Sequence, residues 1–167
     1  MTEFVLSPKV IREATSYNPF RNITADIDTA DFEEDAYFEG ATMKPMDNGQ
    51  TIVEVQMRCA ENSPHGNAGV KFRTDIWLNN AICAGTVRPA DADERDWRST
   101  KAGLRTLKNL ALSLGIEGAN DDTFNPVTKL TAADTKQGGM VHLKIRVFRA
   151  NSGQHKWELN RVTKVRV

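Results

Sequence analysis

Basic residues interleaved with aromatic rings are where this sequence concentrates chemistry. In KFRTDIWL the alternation puts Lys71, Arg73 and Trp77 at one parity. In MVHLKIRVFRA it puts Lys144, Arg146 and Phe148 at one parity, with Arg149 just beyond. The closing stretch HKWELNRVTKVRV adds Lys156, Trp157, Arg161 and Lys164. Lysine and arginine supply charge for phosphates, and an exposed ring offers a face on which a base can stack. At ~1–3 kcal/mol per stacked base, two or three such rings sustain useful binding. The same alternation also suits a solvated face or a defended sheet edge. Trp157 shares parity with Leu159 and equally suits a core position.

Constellations for catalysis are thin. His65, His142 and His155 lack partners at metal-ligand spacing. Cys59 and Cys83 fit either two buried free thiols or one disulfide. The acids of ADADERD (Asp91, Asp93, Glu94, Asp96) and the pair Asp121-Asp122 suit a hard cation, as in a nuclease, or solvated loops and helix caps. There is no phosphate-cradling glycine loop, nucleophile elbow or repeat. The expectation is a protein without catalytic residues, metal or cofactor.

Charge is unevenly spread along a chain whose formal net charge is zero. Residues 1–40 hold three bases and nine acids, whereas residues 136–167 hold eight bases and one acid, Glu158. The reading is an acidic, partly irregular N-terminal arm (1–39), in which SPKVIREATSY suits a short helix after Ser7-Pro8, before a basic domain (40–167). Such an arm fits a solubilising segment, a polyanion mimic that competes for the basic surface, or a docking segment for a partner protein. No apolar run reaches the ~18 residues of a membrane span. The first residues have no signal-peptide h-region, so a cytoplasmic chain is expected.

The elements that must position these residues follow from periodicity. GATMKPM reads as a short strand interrupted by Pro45, suited to an edge, and Asp47-Asn48-Gly49 as a turn. TIVEVQMRC and GVKFRTDIWL alternate as strands, separated by a turn-rich, flexible loop AENSPHGNA. After a long loop over 79–96, DWRSTKAGLRTLKNLALSLG reads as a helix that Asp96 or Ser99 starts and Gly115 ends. Its buried stripe is Leu104, Leu107, Leu110, Ala111 and Leu114, and Arg98, Lys101, Arg105 and Lys108 form a basic outer face. A connector with a possible helical start at TAAD leads to a final hairpin. A parity change between Leu159 and Val162 predicts a bulge near Asn160-Arg161. The order strand, strand, strand, helix, strand, strand is that of the five-stranded OB barrel. An open α+β sheet under one helix gives the same order.

Several stretches carry a resemblance. The NPF-containing, Asp-rich N-terminal segment, FEGATMKPM, the Leu-rich helix closed by LGI, a KL…GG step and a final NRVTKV strand resemble a phage-encoded family of unknown-function domains found among replication and recombination genes. The resemblance covers most of residues 18–167. It implies an OB-like single-stranded-DNA-binding protein, working in the cytoplasm of a host cell and lacking cofactors. It also suggests a replication or recombination protein as a partner for the acidic arm. With the basic and aromatic pattern, the expected role is largely sequence-independent binding of single-stranded nucleic acid. The rival class is a protein-interaction module that binds no nucleic acid.

Overall fold

A computed structural model describes residues 4–11, 32–64, 66–121, 123–132, 139–149 and 155–164. In its last two strands, side chains are described through Ile145 and again at Val162. Five strands form one antiparallel sheet in the order β3-β2-β1-β4-β5. They are β1 (Phe32–Pro45), β2 (Gln50–Cys59), β3 (Lys71–Asn79), β4 (Met140–Arg149) and β5 (His155–Lys164). Among the described residues no ladder joins β3 to β5, so the sheet is open rather than a closed barrel.

The central strand is the one the sequence hides best. β1 begins at Phe32, inside the segment expected to be an irregular arm, so the boundary at residue 39 cuts through a strand. Acid-rich FEEDAYFE has low strand propensity, yet Ala36 and Phe38 are fully buried and secure it in the core. GATMKP is therefore not an edge; it is the second half of the middle strand, and Pro45 is its last residue. Residues 32–37 pair with β4 and residues 36–45 with β2. The register shifts between Phe38 and Gly40. Gly40 has φ 140, a conformation that a side chain strongly disfavours, and this lets β1 serve both halves of the sheet.

The other strands follow their alternation. Val53, Val55, Met57 and Cys59 of β2, and Ile76 and Leu78 of β3, face the core with Val141, Leu143 and Ile145 of β4. The expected bulge is present: Lys144 pairs with Arg161 but Ile145 with Leu159, which leaves Asn160 as the extra residue. That shift turns Val162 into the core.

Between β3 and β4, the segment expected as a long loop contains a short helix α1 (Asn80–Ala84) and a single 3-10 turn at Pro89–Asp91. Asn79 caps α1 through its side chain. Helix α2 (Glu94–Ser113) starts one turn earlier than expected, because Asp93 accepts hydrogen bonds from the amides of Arg95 and Asp96. Gly115 follows its end at φ 72, as a glycine just past a helix should. Leu104, Leu107, Leu110 and Ala111 are buried, and the helix packs against both edge strands. Its supposed solvated basic face is only partly so. Arg98 pairs with Glu94 at 2.8 Å, Lys101 lies over the Trp97 ring at 4.8 Å, and Lys108 is buried. A short helix, α3 (Pro126–Leu130), capped by Asn125, forms where only a connector was expected and packs onto α2.

The N-terminal segment is docked. Leu6, Val10 and Ile11 are buried in the core, and the Ser7 amide donates to the Cys83 carbonyl. No described helix is long and apolar enough to cross a membrane.

Candidate nucleic-acid interface

Residues directly opposite in an antiparallel pair share a face, so the registers assemble the outward surface row by row. Across β3, β2 and β1 the rows are Lys71–Arg58–Tyr37, Arg73–Gln56–Gly40, Asp75–Glu54–Thr42 and Trp77–Ile52–Lys44. Across β1 and β4 the surface continues as Tyr37–Met140, Asp35–His142 and Glu33–Lys144.

Trp77 behaves as its alternation requires. Its side chain is 41% exposed, while its row neighbour Ile52 on the same face is only 6% exposed. A large ring thus lies open on a sheet face beside a covered aliphatic residue, and Lys44 ends the row without an acid in it. Lys71 is exposed at the opposite end of β3. Arg73 is committed elsewhere: its Nε lies 2.9 Å from Asp75 Oδ1, and a second nitrogen lies 3.9 Å from Glu54. Its charge is largely spent within the protein.

Lys144 is exposed, at the register position between Glu33 and Arg161. Backbone pairing divides the remaining candidates. Lys156 lies opposite Phe148 and Arg161 opposite Lys144, so these positions share the outward parity with Arg146. Trp157 lies opposite Val147, Lys164 opposite Val141 and Arg149 opposite His155, all on the parity of the buried Ile145. The side chains of Arg146, Phe148, Arg149, Lys156, Trp157, Arg161 and Lys164 lie outside the described residues.

Three features, two on this face and one beneath it, escaped sequence reasoning. Tyr37 carries Arg58 stacked on its ring at 4.8 Å and donates its hydroxyl to Glu61 at 2.7 Å. Arg58 also lies 3.7 Å from both Glu39 and Glu61. His142, on the outward side of β4, meets two carboxylates: Nδ1 is 2.7 Å from Asp35 Oδ1, and Nε2 is 3.2 Å from Glu33 Oε1. Partial burial pulls its pKa down, but hydrogen bonds to Asp35 and Glu33, then their charges, more than offset this and raise it above the ordinary value.

The third is the loop between β2 and β3, expected to be flexible and in fact tied to β1. Glu34 is 1% exposed, and its Oε1 accepts from Ser63 Oγ at 2.7 Å and Asn67 Nδ2 at 3.0 Å. Asn62 donates to Asp35 at 3.3 Å, and the Ala60 amide to the Asp35 carbonyl at 2.8 Å. Glu34 Oε2 is buried and has no hydrogen-bond partner among the described residues.

Among the described residues no group of three His, Cys, Asp or Glu side chains is arranged to hold a metal. The acids before α2 act locally: Asp91 pairs with Arg88, Asp93 caps the helix and Glu94 holds Arg98. Asp121 accepts from the Thr123 amide and hydroxyl, which lowers its pKa. Both cysteines are free and buried, which answers the thiol question against a disulfide.

Compared with known proteins, the chain matches no family model and no curated sequence. The resemblance to the phage proteins therefore rests on the quoted residues alone.

Proposed function

We propose that this protein binds single-stranded nucleic acid, DNA in the first place, along the outward face of its sheet and without sequence preference or catalysis. The observation that carries the reading is Trp77, an exposed indole on a strand face, in one row with Ile52 and Lys44. A strand-binding surface needs rings for bases and cations for phosphates. Trp77 supplies an open ring; Lys44, Lys71 and Lys144 supply cations. The pairing order, with α2 between the third and fourth strands and packed on both edge strands, supports an OB-like arrangement left open at the β3–β5 seam. In such folds the face of the second and third strands binds oligonucleotides, and Trp77 lies there. Replication or recombination is the setting that the family resemblance suggests.

One observation favours a different class. The described outward face is close to charge-balanced, because Arg73 and Arg58 are paired with Glu54, Asp75, Glu39 and Glu61. A surface of alternating signs suits a protein partner better than a polyanion.

A titration of intrinsic fluorescence and of labelled oligo-dT anisotropy at several salt concentrations separates the two. Nucleic-acid binding predicts indole quenching and an affinity that falls steeply with salt. It also predicts that Trp77→Ala weakens binding by roughly 5- to 100-fold, the loss of one stacked base. No binding at low salt would leave the protein-interaction reading.

A further inference from the structure

His142 is held in a way that fixes its protonation state to the charge of the face around it. Both ring nitrogens lie within hydrogen-bond distance of carboxylates, Nδ1 of Asp35 and Nε2 of Glu33. An ionised carboxylate only accepts, so a ring that bonds both must donate from both nitrogens, and only the imidazolium does that. The neutral ring donates to one carboxylate and turns a lone pair toward the other. The arrangement is therefore a two-state element set by a single proton.

The surroundings define what that proton changes. On β1, Glu33 and Asp35 flank the ring, with Tyr37 next along the strand. On β4, Lys144 is the next outward residue, opposite Glu33. On β5, Thr163 lies opposite His142 and Arg161 opposite Lys144. From the β2–β3 loop, Asn62 reaches Asp35, and Glu61 holds Tyr37. Among the described charged side chains on the outward side of the β1–β4 ladder, Glu33 and Asp35 balance Lys144 and protonated His142, while Glu34 lies on the buried side. Once the ring is neutral, the acids outweigh the base.

We infer that Glu33, Asp35 and His142 form a proton-operated gate on the β1–β4 half of the face. The imidazolium leaves this half neutral and open to an anionic backbone; the neutral ring makes it acidic and repels one. This regulation rests on the nucleic-acid reading given above. It requires that β1 carry the acids at alternating, outward positions, which is where Glu33 and Asp35 stand.

The test is oligo-dT anisotropy from pH 5.5 to 8.5 at fixed ionic strength, on the wild type and on a Glu33→Gln/Asp35→Asn double variant. The gate predicts that wild-type affinity falls roughly two- to fivefold as the ring loses its proton, the effect of one charge near a bound phosphate in solvent. The double variant binds at high pH as tightly as, or more tightly than, the wild type at low pH, and what remains of its pH dependence shifts down into the ordinary histidine range. Binding with the same pH profile in both proteins overturns the gate and leaves the nucleic-acid reading intact. No binding at any pH removes that reading and the gate with it. An NMR titration of the imidazole signals then shows whether the clamp exists. It predicts one ring titrating above the ordinary histidine range in the wild type and returning to it in the double variant. Identical ring titrations in the two proteins overturn the clamp itself.

Discussion

Gly103 of α2 lies directly beneath Ile76 of β3: a Cβ built at Gly103 would stand 2.6 Å from Ile76 Cγ2 and 3.2 Å from a Leu78 methyl carbon. The absence of a side chain there is what lets the helix seat against the strand that presents Trp77 on its other face. Helix propensity alone would favour alanine at this position by about 1 kcal/mol, so packing must decide the outcome.

Gly103→Val is accordingly expected to destabilise the protein by about 1–3 kcal/mol, the usual range for forcing extra carbons into a filled interface. Denaturant unfolding reads this as a lower midpoint at unchanged slope. A variant as stable as the wild type would mean that α2 is free to lift off β3.

The buried carboxylate of Glu34 makes a second prediction, about the loop it holds. Glu34→Ala removes the acceptor for Ser63 and Asn67 and leaves two polar groups without it, a loss of about 1–3 kcal/mol. Glu34→Gln keeps an oxygen for both donors and removes a charge whose second oxygen has no partner among the described residues, so its stability should equal or exceed the wild type's at neutral pH. Hydrogen exchange provides the local readout. The amides of Asn67 and Gly69, bonded to Ser63 Oγ and the Cys59 carbonyl, should exchange faster in Glu34→Ala and stay protected in Glu34→Gln. Equal protection in both variants would show that the loop is held by its own turns.

What the sequence made legible was whatever rests on periodicity within one element. The outward position of Trp77 is legible because Thr74, Ile76 and Leu78 have a parity of their own, and those three are buried. The bulge at Asn160 follows from a parity change, and the stripe of α2 from a 3.6-residue repeat. The first half of β1 is not legible, because Glu33, Glu34 and Asp35 form an acidic run whose strand propensity is poor and its burial depends on partners far along the chain; the second half, GATMKP, reads as a strand. His142 and Asp35 are 107 residues apart, and Glu34 is 29 from Ser63 and 33 from Asn67. No local pattern encodes such pairings. With its first half hidden, Tyr37 is hidden too, and four acids of the sheet fall into a supposed free arm. Deleting residues 1–39 would therefore remove Ala36 and Phe38 from the core rather than free a surface.

The thiols give a prediction about reactivity. Burial pushes Cys83 up to about 12. Burial, and then the nearby charge of Glu34, pushes Cys59 up to about 11. At pH 8 the thiolate fraction of the more acidic of the two is then about one in a thousand, and the thiolate is the nucleophile. Native protein should react with a disulfide reagent only slowly, and both thiols promptly once denaturant unfolds the chain. Glu34→Gln should speed the native reaction of Cys59 modestly by removing the charge. A fast native reaction of either thiol would contradict its burial.

The last prediction is a stability profile with a definite sign. The folded pKa of His142 is raised, because the bonds and charges of Asp35 and Glu33 outweigh its partial burial. The folded state therefore holds this proton more tightly than the unfolded chain does. The stabilisation is fully present below the unfolded value of about 6.5 and is lost as pH rises through the higher folded value. Unfolding free energy should thus decline on the alkaline side of neutrality in the wild type. It should decline less in Asp35→Asn, which keeps a side chain beside Asn62 and loses the charge facing the ring. The ring is 33% exposed, so the effect is modest and added salt should shrink it further. Denaturation at pH 6 and pH 8.5, in both proteins, measures the difference directly. A decline of the same size in both would assign the pH dependence to groups other than the His142–Asp35 pair.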